Sequence, residues 1–248
     1  MRTTISILSS VALCGLLTIP GLSADNEPGA ISGKTGSAPA LRAPDTVGPA
    51  IKSRSALSVN GKSRAAVVAF YRQNYVPHNR VPNGWQGNAR LCRDGKNSAA
   101  YDSATLKNLR YYRAMAGVPA DVSFAEKYSQ HARAAALMME AKGDLSHGPG
   151  RDWPCYTASG KQGAASSNLC LGCVGPSAID AYVRDSGVKG VGHRVWALHP
   201  RQKVLGNGSS KRAHALYVFG DWRPDEEVAH IKSVAWPPAG YVPFNQGL

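Results

Sequence analysis

Carboxylates are scarce in this chain of 248 residues, because 16 Asp and Glu stand against 29 Lys and Arg and give a formal net charge of +13. This balance favours anionic partners such as wall polymers, acidic lipids or nucleic acid. The basic residues are scattered, however, and the sequence contains none of the modules that normally accompany nucleic-acid recognition. We therefore expect no specific nucleic-acid binding and interpret the charge as favouring loose attachment to an anionic envelope.

Long apolar runs are also missing, except at the N-terminus. An apolar stretch covers residues 5–19, behind Arg2 and ahead of a small-residue cleavage signal that ends at Ala24. The stretch is shorter than the roughly 20 residues of a membrane-spanning helix, and its layout is that of a secretory signal. We predict a signal peptide over residues 1–24, no transmembrane segment after its removal, and a secreted protein, extracellular or periplasmic. A retained N-terminal anchor is the alternative.

Several signatures of catalysis are absent. The sequence has no Gly-x-Ser-x-Gly elbow and no His-Glu-x-x-His helix, the patterns of many serine hydrolases and zinc proteases. The glycine-rich segments GVKGVG and GNGSSK lack the strand-turn-helix setting that phosphate-binding loops require. These absences argue against a serine hydrolase of that kind, a zincin and a nucleotide-binding domain.

Cysteine is sparse, and the four residues beyond the leader form an even set. In an exported protein an even set predicts two structural disulfides, with three possible pairings. The segment Cys170-Leu-Gly-Cys173 also has the spacing of redox or metal sites, but neither a second close pair nor a βαβ pattern accompanies it. The disulfide candidates are Cys92, Cys155, Cys170 and Cys173.

Composition divides the chain into segments. Residues 25–63 are rich in Gly, Ala, Ser and Pro, which predicts a flexible linker. Residues 64–236 carry helical and then strand patterns and are expected to form one α+β domain. Residues 237–248 contain too much Pro and Gly for regular structure and are predicted to be an irregular tail.

Periodicity and capping residues predict the elements of that domain. Four helices are expected: residues 65–75, a helix capped by Asp102 or Ser103 and ending at Ala116, one opened by the Ser123–Glu126 capping box and stopped by Gly143, and one from Pro176 to Gly187. The segments QKVLGNG and RAHALYVFG predict strands, with Gly-Asn-Gly and Ser-Ser as turn material between them.

Two of the histidines stand out from the rest. His147 follows the longest predicted helix in DLSHGPG, and His193 stands next to a glycine in VGHR, so small neighbours leave access to both rings. Loops between packed elements commonly present functional side chains. The remaining histidines are interpreted as solvated or structural; they are His78, His131, His199, His214 and His230.

Five motifs occur in a definite order along the chain. They are NLRYYRAMAG (108–117), ARAAALMMEAKGDLSHGP (132–149), SSNLCLG (166–172), AIDAYVRDSG (178–187) and VGHRVWALHP (191–200). Together they resemble the CAP superfamily (the SCP-like cysteine-rich secretory, antigen-5 and pathogenesis-related group) in a bacterial-type form. The resemblance covers about residues 65–220. It implies a three-layer α/β/α sandwich with a mainly antiparallel central sheet.

The resemblance also implies a cleft with two histidines and two acidic residues. By motif, the histidines correspond to His147 in LSHGP and His193 in GHR, and one acid corresponds to Asp185 in AYVRD. The second acid normally precedes the Asn of a Gly-Glu-Asn segment, and here Ser167 precedes Asn168. These five residues are the candidate binding cleft.

Many members of the family have been linked to zinc or another divalent metal. The resemblance therefore makes His147 and His193 candidate metal ligands, while Asp185 would either complete a three-ligand site or orient a histidine. The same three residues are the catalytic candidates of a metal-dependent hydrolase or peptidase. Since Ser167 cannot relay a proton as Glu would, hydrolysis by paired carboxylates lacks one of its groups.

The function favoured by the sequence is a secreted, non-catalytic binding module with a polar, His-containing cleft. Its ligand would be a lipid, a peptide or an anionic envelope polymer. The metal-dependent hydrolase is the alternative, and a structural domain that adheres to wall polymers through its charge is a third possibility.

Overall fold

The computed structural model describes residues 57–246. The predicted signal peptide, most of the predicted linker and the last two residues of the predicted tail lie outside the described residues. The α-helices are α1 (Arg64–Asn74), α2 (Ala99–Met115), α3 (Glu126–Lys142), α4 (Ala158–Ala165), α5 (Pro176–Arg184), α6 (Gly192–Ala197) and α7 (Asp225–Val228). The strands are β1 (Ser123–Phe124), β2 (Ser167–Leu171), β3 (Gln202–Ser209) and β4 (Ala213–Trp222), and single 3-10 turns cover Val76–His78 and Phe244–Gln246.

The four strands form one mixed sheet in the order β1-β3-β4-β2. β1 runs parallel to β3, whereas β3 with β4 and β4 with β2 are antiparallel. The chain is therefore an α+β protein, as expected. Among residues 57–246, no helix is long and apolar enough to cross a membrane.

Alternate residues of β4 belong to two separate core clusters. Leu216 and Val218 pack with residues of α1, α2, α5 and α6, whereas Ala215 and Tyr217 pack with residues of α3 and α4. This division follows from strand geometry, since successive side chains point to opposite faces of a sheet. β2 contributes to both clusters, with Cys170 in the first and Leu169 in the second.

Two predicted helix starts were wrong. α2 begins about one turn before Asp102, because the Ser98 hydroxyl accepts a hydrogen bond from the Tyr101 amide at 3.2 Å and caps the helix. α3 has no side-chain cap. Ser123, the expected cap of α3, lies in β1 and pairs with Val204, because the chain joins the sheet before it enters the helix.

The Gly-Asn-Gly turn was also wrong, since these residues lie within β3. α3 crosses β3 so closely that a Cβ on Gly206 would collide with the Tyr128 backbone, and one on Gly208 with the Arg133 backbone. Glycine in a strand often marks such a close approach. The connection to β4 uses residues 210–212, which include Ser210 of the predicted Ser-Ser turn.

α4, α6 and β2 were not predicted from periodicity. α4 contains Gly160 and Gly163, which are poor helix formers, yet Gly163 is needed because a Cβ there would collide with the His131 carbonyl of α3. The helix is capped by Thr157, whose hydroxyl accepts from the Gly160 amide at 2.9 Å. The short length of α6 and β2 gives too few residues for a readable period.

The four cysteines pair as Cys92–Cys155 and Cys170–Cys173, with Cα–Cα distances of 4.9 and 5.7 Å. The first pair joins the loop before α2 to the loop between α3 and α4, which also carries His147. The second pair closes the short segment between β2 and α5. Both pairs thus hold loops that flank the sheet.

Arg113 is the largest fully buried side chain of the described residues. Its guanidinium donates hydrogen bonds to the carbonyls of Pro119 (2.8 Å), Ala197 (2.9 Å) and His199 (3.0 Å). Burial lowers the pKa of Arg113 to about 9. The side chain therefore fastens α2 to the turn that follows α6 by hydrogen bonds rather than by a carboxylate partner.

Replacing Arg113 by Lys tests this fastening. The ammonium keeps a charge but loses the planar fork that serves three carbonyls, so we expect the free energy of unfolding in urea to fall by about 2–4 kcal/mol. The matched control is Arg80→Lys at an exposed position, for which a change within about 0.5 kcal/mol is expected. Equal stability of the two variants would contradict this role of Arg113.

Candidate functional site

His193 lies on the first turn of α6 and faces Asp185, the residue that ends α5. Asp185 adopts a left-handed conformation (φ 49°) and is 3% exposed, while His193 is 4% exposed. The carboxylate accepts from His193 Nδ1 at 2.9 Å through Oδ1 and from the Arg194 amide at 3.1 Å through Oδ2. Both of its oxygens are thus used to hold the start of α6.

This contact fixes the chemistry of the His193 ring. Because a carboxylate accepts hydrogen bonds, Nδ1 carries the proton, and in the neutral ring the lone pair lies on Nε2. Asp185 therefore orients His193 through the far side of its ring.

Asn168, at the start of β2, connects His193 to the sheet. Its side-chain amide donates to the His193 carbonyl at 2.8 Å. The Tyr182 hydroxyl of α5 donates to the Asn168 carbonyl at 2.9 Å, and the Tyr182 ring stacks on the His193 ring with centroids 5.6 Å apart. The backbone and ring of His193 are therefore both held from β2 and α5.

A buried polar chain continues from Tyr182 into the sheet. The Tyr182 hydroxyl lies 3.0 Å from His214 Nδ1, and His214 Nε2 lies 2.9 Å from Asn207 Oδ1. Asn207 in turn donates to Asp102 at 2.9 Å. Burial lowers the pKa of His214 to about 3, so the imidazole in the middle of this chain is neutral near pH 7.

His147 is half-buried. It is held by α4, which packs with α3 in the second core cluster. Its Nδ1 lies 2.7 Å from the carbonyl oxygen of Ala164, near the end of α4. A carbonyl oxygen only accepts, so Nδ1 carries the proton and the lone pair of the neutral ring is on Nε2. Ala164 precedes Ser167 by three residues, so His147 is bonded to the segment that leads into β2.

Ser167 and Asn168 are adjacent in β2 and, as neighbours in a strand, point to opposite faces of the sheet. Both are fully buried. Ser167 Oγ and Asn168 Oδ1 have no hydrogen-bond partner among the described residues. A buried polar atom without a protein partner commonly bonds to water or a bound group.

The five candidate residues lie in β2 or are connected to its N-terminal end by hydrogen bonds, and we call them the β2 cluster: His147, Ser167, Asn168, Asp185 and His193. Direct contacts join Asp185 to His193 and Asn168 to His193. His147 is connected to the same end of the strand through Ala164. The two histidines approach β2 from different helical clusters.

Within residues 57–246, no group of three or more His, Cys, Asp or Glu side chains is arranged to hold a metal ion. The geometry of the β2 cluster explains part of this finding. Asp185 is turned towards Nδ1 of His193, so it lies on the side of the ring opposite Nε2. Asp185 is therefore not beside Nε2 of His193, and the remaining proposed ligands are the two imidazole rings.

Sequence reasoning missed two residues that position the site. Tyr182 lies three residues before Asp185 within the same motif, AIDAYVRDSG, and this proximity was the available signal. Arg194 was the second. Its guanidinium donates to the carbonyls of Val183 and Arg184 at 2.6 Å each and so closes the end of α5, a role no local pattern indicates.

Comparisons with protein-family models, curated proteins and solved structures found no match to this chain. The resemblance to the CAP superfamily therefore stays a prediction from the sequence motifs.

The burial of neutral His214 predicts a specific pH dependence of stability. Its pKa is about 3 in the folded chain, against the ordinary value of 6.5, so between these values the unfolded chain binds a proton that the folded chain does not. His214 therefore lowers the free energy of unfolding progressively as the pH falls from 6.5 towards 3 and has no such effect above 6.5.

The measurement compares urea unfolding of the wild type and His214→Gln across this pH range. Although the variant is expected to be less stable at neutral pH, its stability should fall less steeply on acidification, so the two curves converge. His230→Gln, at an exposed position, is the control and should run parallel to the wild type. Parallel curves for His214→Gln would show that the buried imidazole is not held neutral.

Proposed function

We propose that this chain is an exported, CAP-like binding module and that its ligand site is the β2 cluster. The observation that carries the proposal is the pairing of two features at one end of β2. Asp185 rigidly orients His193, and Asn168, whose amide group bonds the His193 backbone, has a buried Oδ1 without a protein partner among the described residues. Ser167 Oγ also lacks such a partner but points to the opposite face of the sheet. Such atoms are suited to a polar ligand group.

The layout of the core supports the CAP-like part of the proposal. Helical residues pack in separate clusters that share alternate residues of β4, as in a three-layer α/β/α sandwich. The sheet has two antiparallel pairings and one parallel pairing. The signal-like N-terminus and the paired cysteines support export, since disulfides persist in oxidising compartments.

Binding fits the cluster better than hydrolysis. Ser167 occupies the position where the family carries an acid, and a hydroxyl does not act as a proton relay near neutral pH on its own. Asp185 already accepts two hydrogen bonds from α6. Neither side chain is therefore placed as the general base that a metal-bound water would need.

A metal-dependent hydrolase is the second candidate, and one observation favours it. Both His147 and His193 donate from Nδ1 to an oxygen acceptor, which is the usual arrangement of histidines that bind metal through the other nitrogen. A divalent ion would be held by the two Nε2 atoms and would supply Lewis-acid activation of water. Two nitrogen ligands are one fewer than catalytic zinc sites generally use.

The double variant His147→Ala/His193→Ala separates these functions. We expect saturable binding of at least one of three probes (a fluorescent fatty acid, a mixed peptide library or a wall polysaccharide), weakened about tenfold or more in the double variant, equal to roughly 1.4 kcal/mol. Zinc-dependent peptide hydrolysis is expected from neither protein. Binding is measured by fluorescence titration or calorimetry, and folding is checked by circular dichroism.

His131→Ala is the matched control, because His131 is a half-buried histidine that contacts Ser159 rather than the β2 cluster. It should bind as the wild type does. Zinc-dependent hydrolysis that disappears in the double variant would select the hydrolase. Salt-sensitive binding to polysaccharide that is identical in all three proteins would select a merely adhesive domain.

A further inference from the structure

A second surface, remote from the β2 cluster in sequence, has features of its own. A groove of about 440 Å³ lies between α1 and the C-terminal residues 241–245. Its lining combines apolar and aromatic groups such as Val68 and Tyr71 with Arg64 and Arg72. We call this surface, with Tyr241 and Phe244 at its edge, the α1 groove.

Phe244 projects from this surface into solvent. It is 102% exposed, and Tyr241 is 49% exposed. The neighbours of Phe244 are fixed, because Asn245 donates to the Tyr71 hydroxyl at 3.1 Å and Gln246 accepts from the Tyr111 hydroxyl at 2.7 Å. The aromatic ring is therefore presented outwards by an anchored segment. Phe244 and Tyr241 lie on one contiguous, largely apolar surface with the groove lining, and exposed patches of this kind mark interaction sites.

The charge of the α1 groove has one sign. Arg64 and Arg72 are both exposed, and no acidic residue is among those that line the groove. Lys62, also exposed, adds to the positive charge at the start of α1. An anionic partner is therefore favoured over a second copy of the chain, since a symmetric pairing of this surface would bring its arginines together.

The chain also enters the domain at this surface. The Tyr241 amide donates to the Gly61 carbonyl at 2.9 Å, so the segment that leads into α1 runs beside the groove.

We propose that the α1 groove docks on an anionic lipid bilayer. Phe244 and Tyr241 enter the boundary between headgroups and acyl chains, where aromatic side chains are favoured, while Arg64 and Arg72 contact lipid phosphates. Long basic side chains suit this position, because their stems lie along apolar surface while the charge stays in the headgroup layer. A soluble polyanion would engage the arginines but leave Phe244 without a role.

The test uses the full chain with vesicles of phosphatidylglycerol and phosphatidylcholine, and with vesicles of phosphatidylcholine alone. Co-sedimentation is expected to show binding to the anionic vesicles that weakens with salt. Phe244→Ala/Tyr241→Ala should bind about tenfold more weakly, through lost apolar burial. Arg64→Gln/Arg72→Gln should also bind about tenfold more weakly and with less salt dependence.

Two control variants remove comparable groups elsewhere. Leu91→Ala shortens a side chain that is 71% exposed in another loop. Arg151→Gln/Lys161→Gln removes two exposed cations, one from the loop between α3 and α4 and one from α4. Both should bind as the wild type does. All variants share the same N-terminal residues, and hydrogen exchange with vesicles bound should protect amides of α1 and 241–246.

Other outcomes would overturn the proposal. Wild-type affinity of Phe244→Ala/Tyr241→Ala, or protection outside the α1 groove, would show that another part of the chain contacts lipid. If the wild type and Phe244→Ala/Tyr241→Ala bound dextran sulfate equally well, and neither preferred vesicles to dextran sulfate, the partner would be a soluble polyanion. If the wild type formed a dimer in sedimentation equilibrium and Phe244→Ala/Tyr241→Ala did not, the partner of the groove would be a second copy of the chain. His147→Ala/His193→Ala should bind vesicles normally, so this result is independent of the proposed ligand site.

Discussion

The hydroxyl of Tyr182 lies at the centre of the buried polar chain on which the candidate site depends. It is within hydrogen-bonding distance of the Asn168 carbonyl and of His214, which connect it to β2 and β4. Asn168 then holds the backbone of His193. Since an unmade hydrogen bond in a buried network is costly, the sheet, α5 and α6 are constrained to one arrangement. That constraint sets the position of His193 relative to β2.

The same constraint explains why Asp185 orients a histidine. α5 ends at Arg184, and the left-handed turn at Asp185 directs the carboxylate at the first turn of α6, where an imidazole and an amide meet it. Arg194 supports this turn from the other side through two carbonyls of α5. A carboxylate with both oxygens engaged in this way is well suited to fixing the orientation of a ring.

The sequence was informative where a residue's own chemistry decides the outcome. Gly143 ends α3 in a left-handed conformation, and the motifs that single out Asp185 and His193 correspond to residues in direct contact. It was uninformative where tertiary packing decides. Gly206 and Gly208 resemble turn residues but are required by the approach of α3, and Ser98 competes with Asp102 as the cap of α2. The partner of His147, a backbone carbonyl in α4, could not be predicted because any residue offers a carbonyl.

Both histidines of the β2 cluster are held through Nδ1, so that Nε2 is the nitrogen with the lone pair. Two-bond nitrogen–proton NMR correlation of the imidazole rings at mildly alkaline pH is the decisive measurement. His147 and His193 are both expected to show a protonated Nδ1 and an unprotonated Nε2, whereas exposed His230 is expected to show exchange between tautomers. An unprotonated Nδ1 at His193 would mean that Asp185 does not orient the ring, and the proposed site would have to be abandoned.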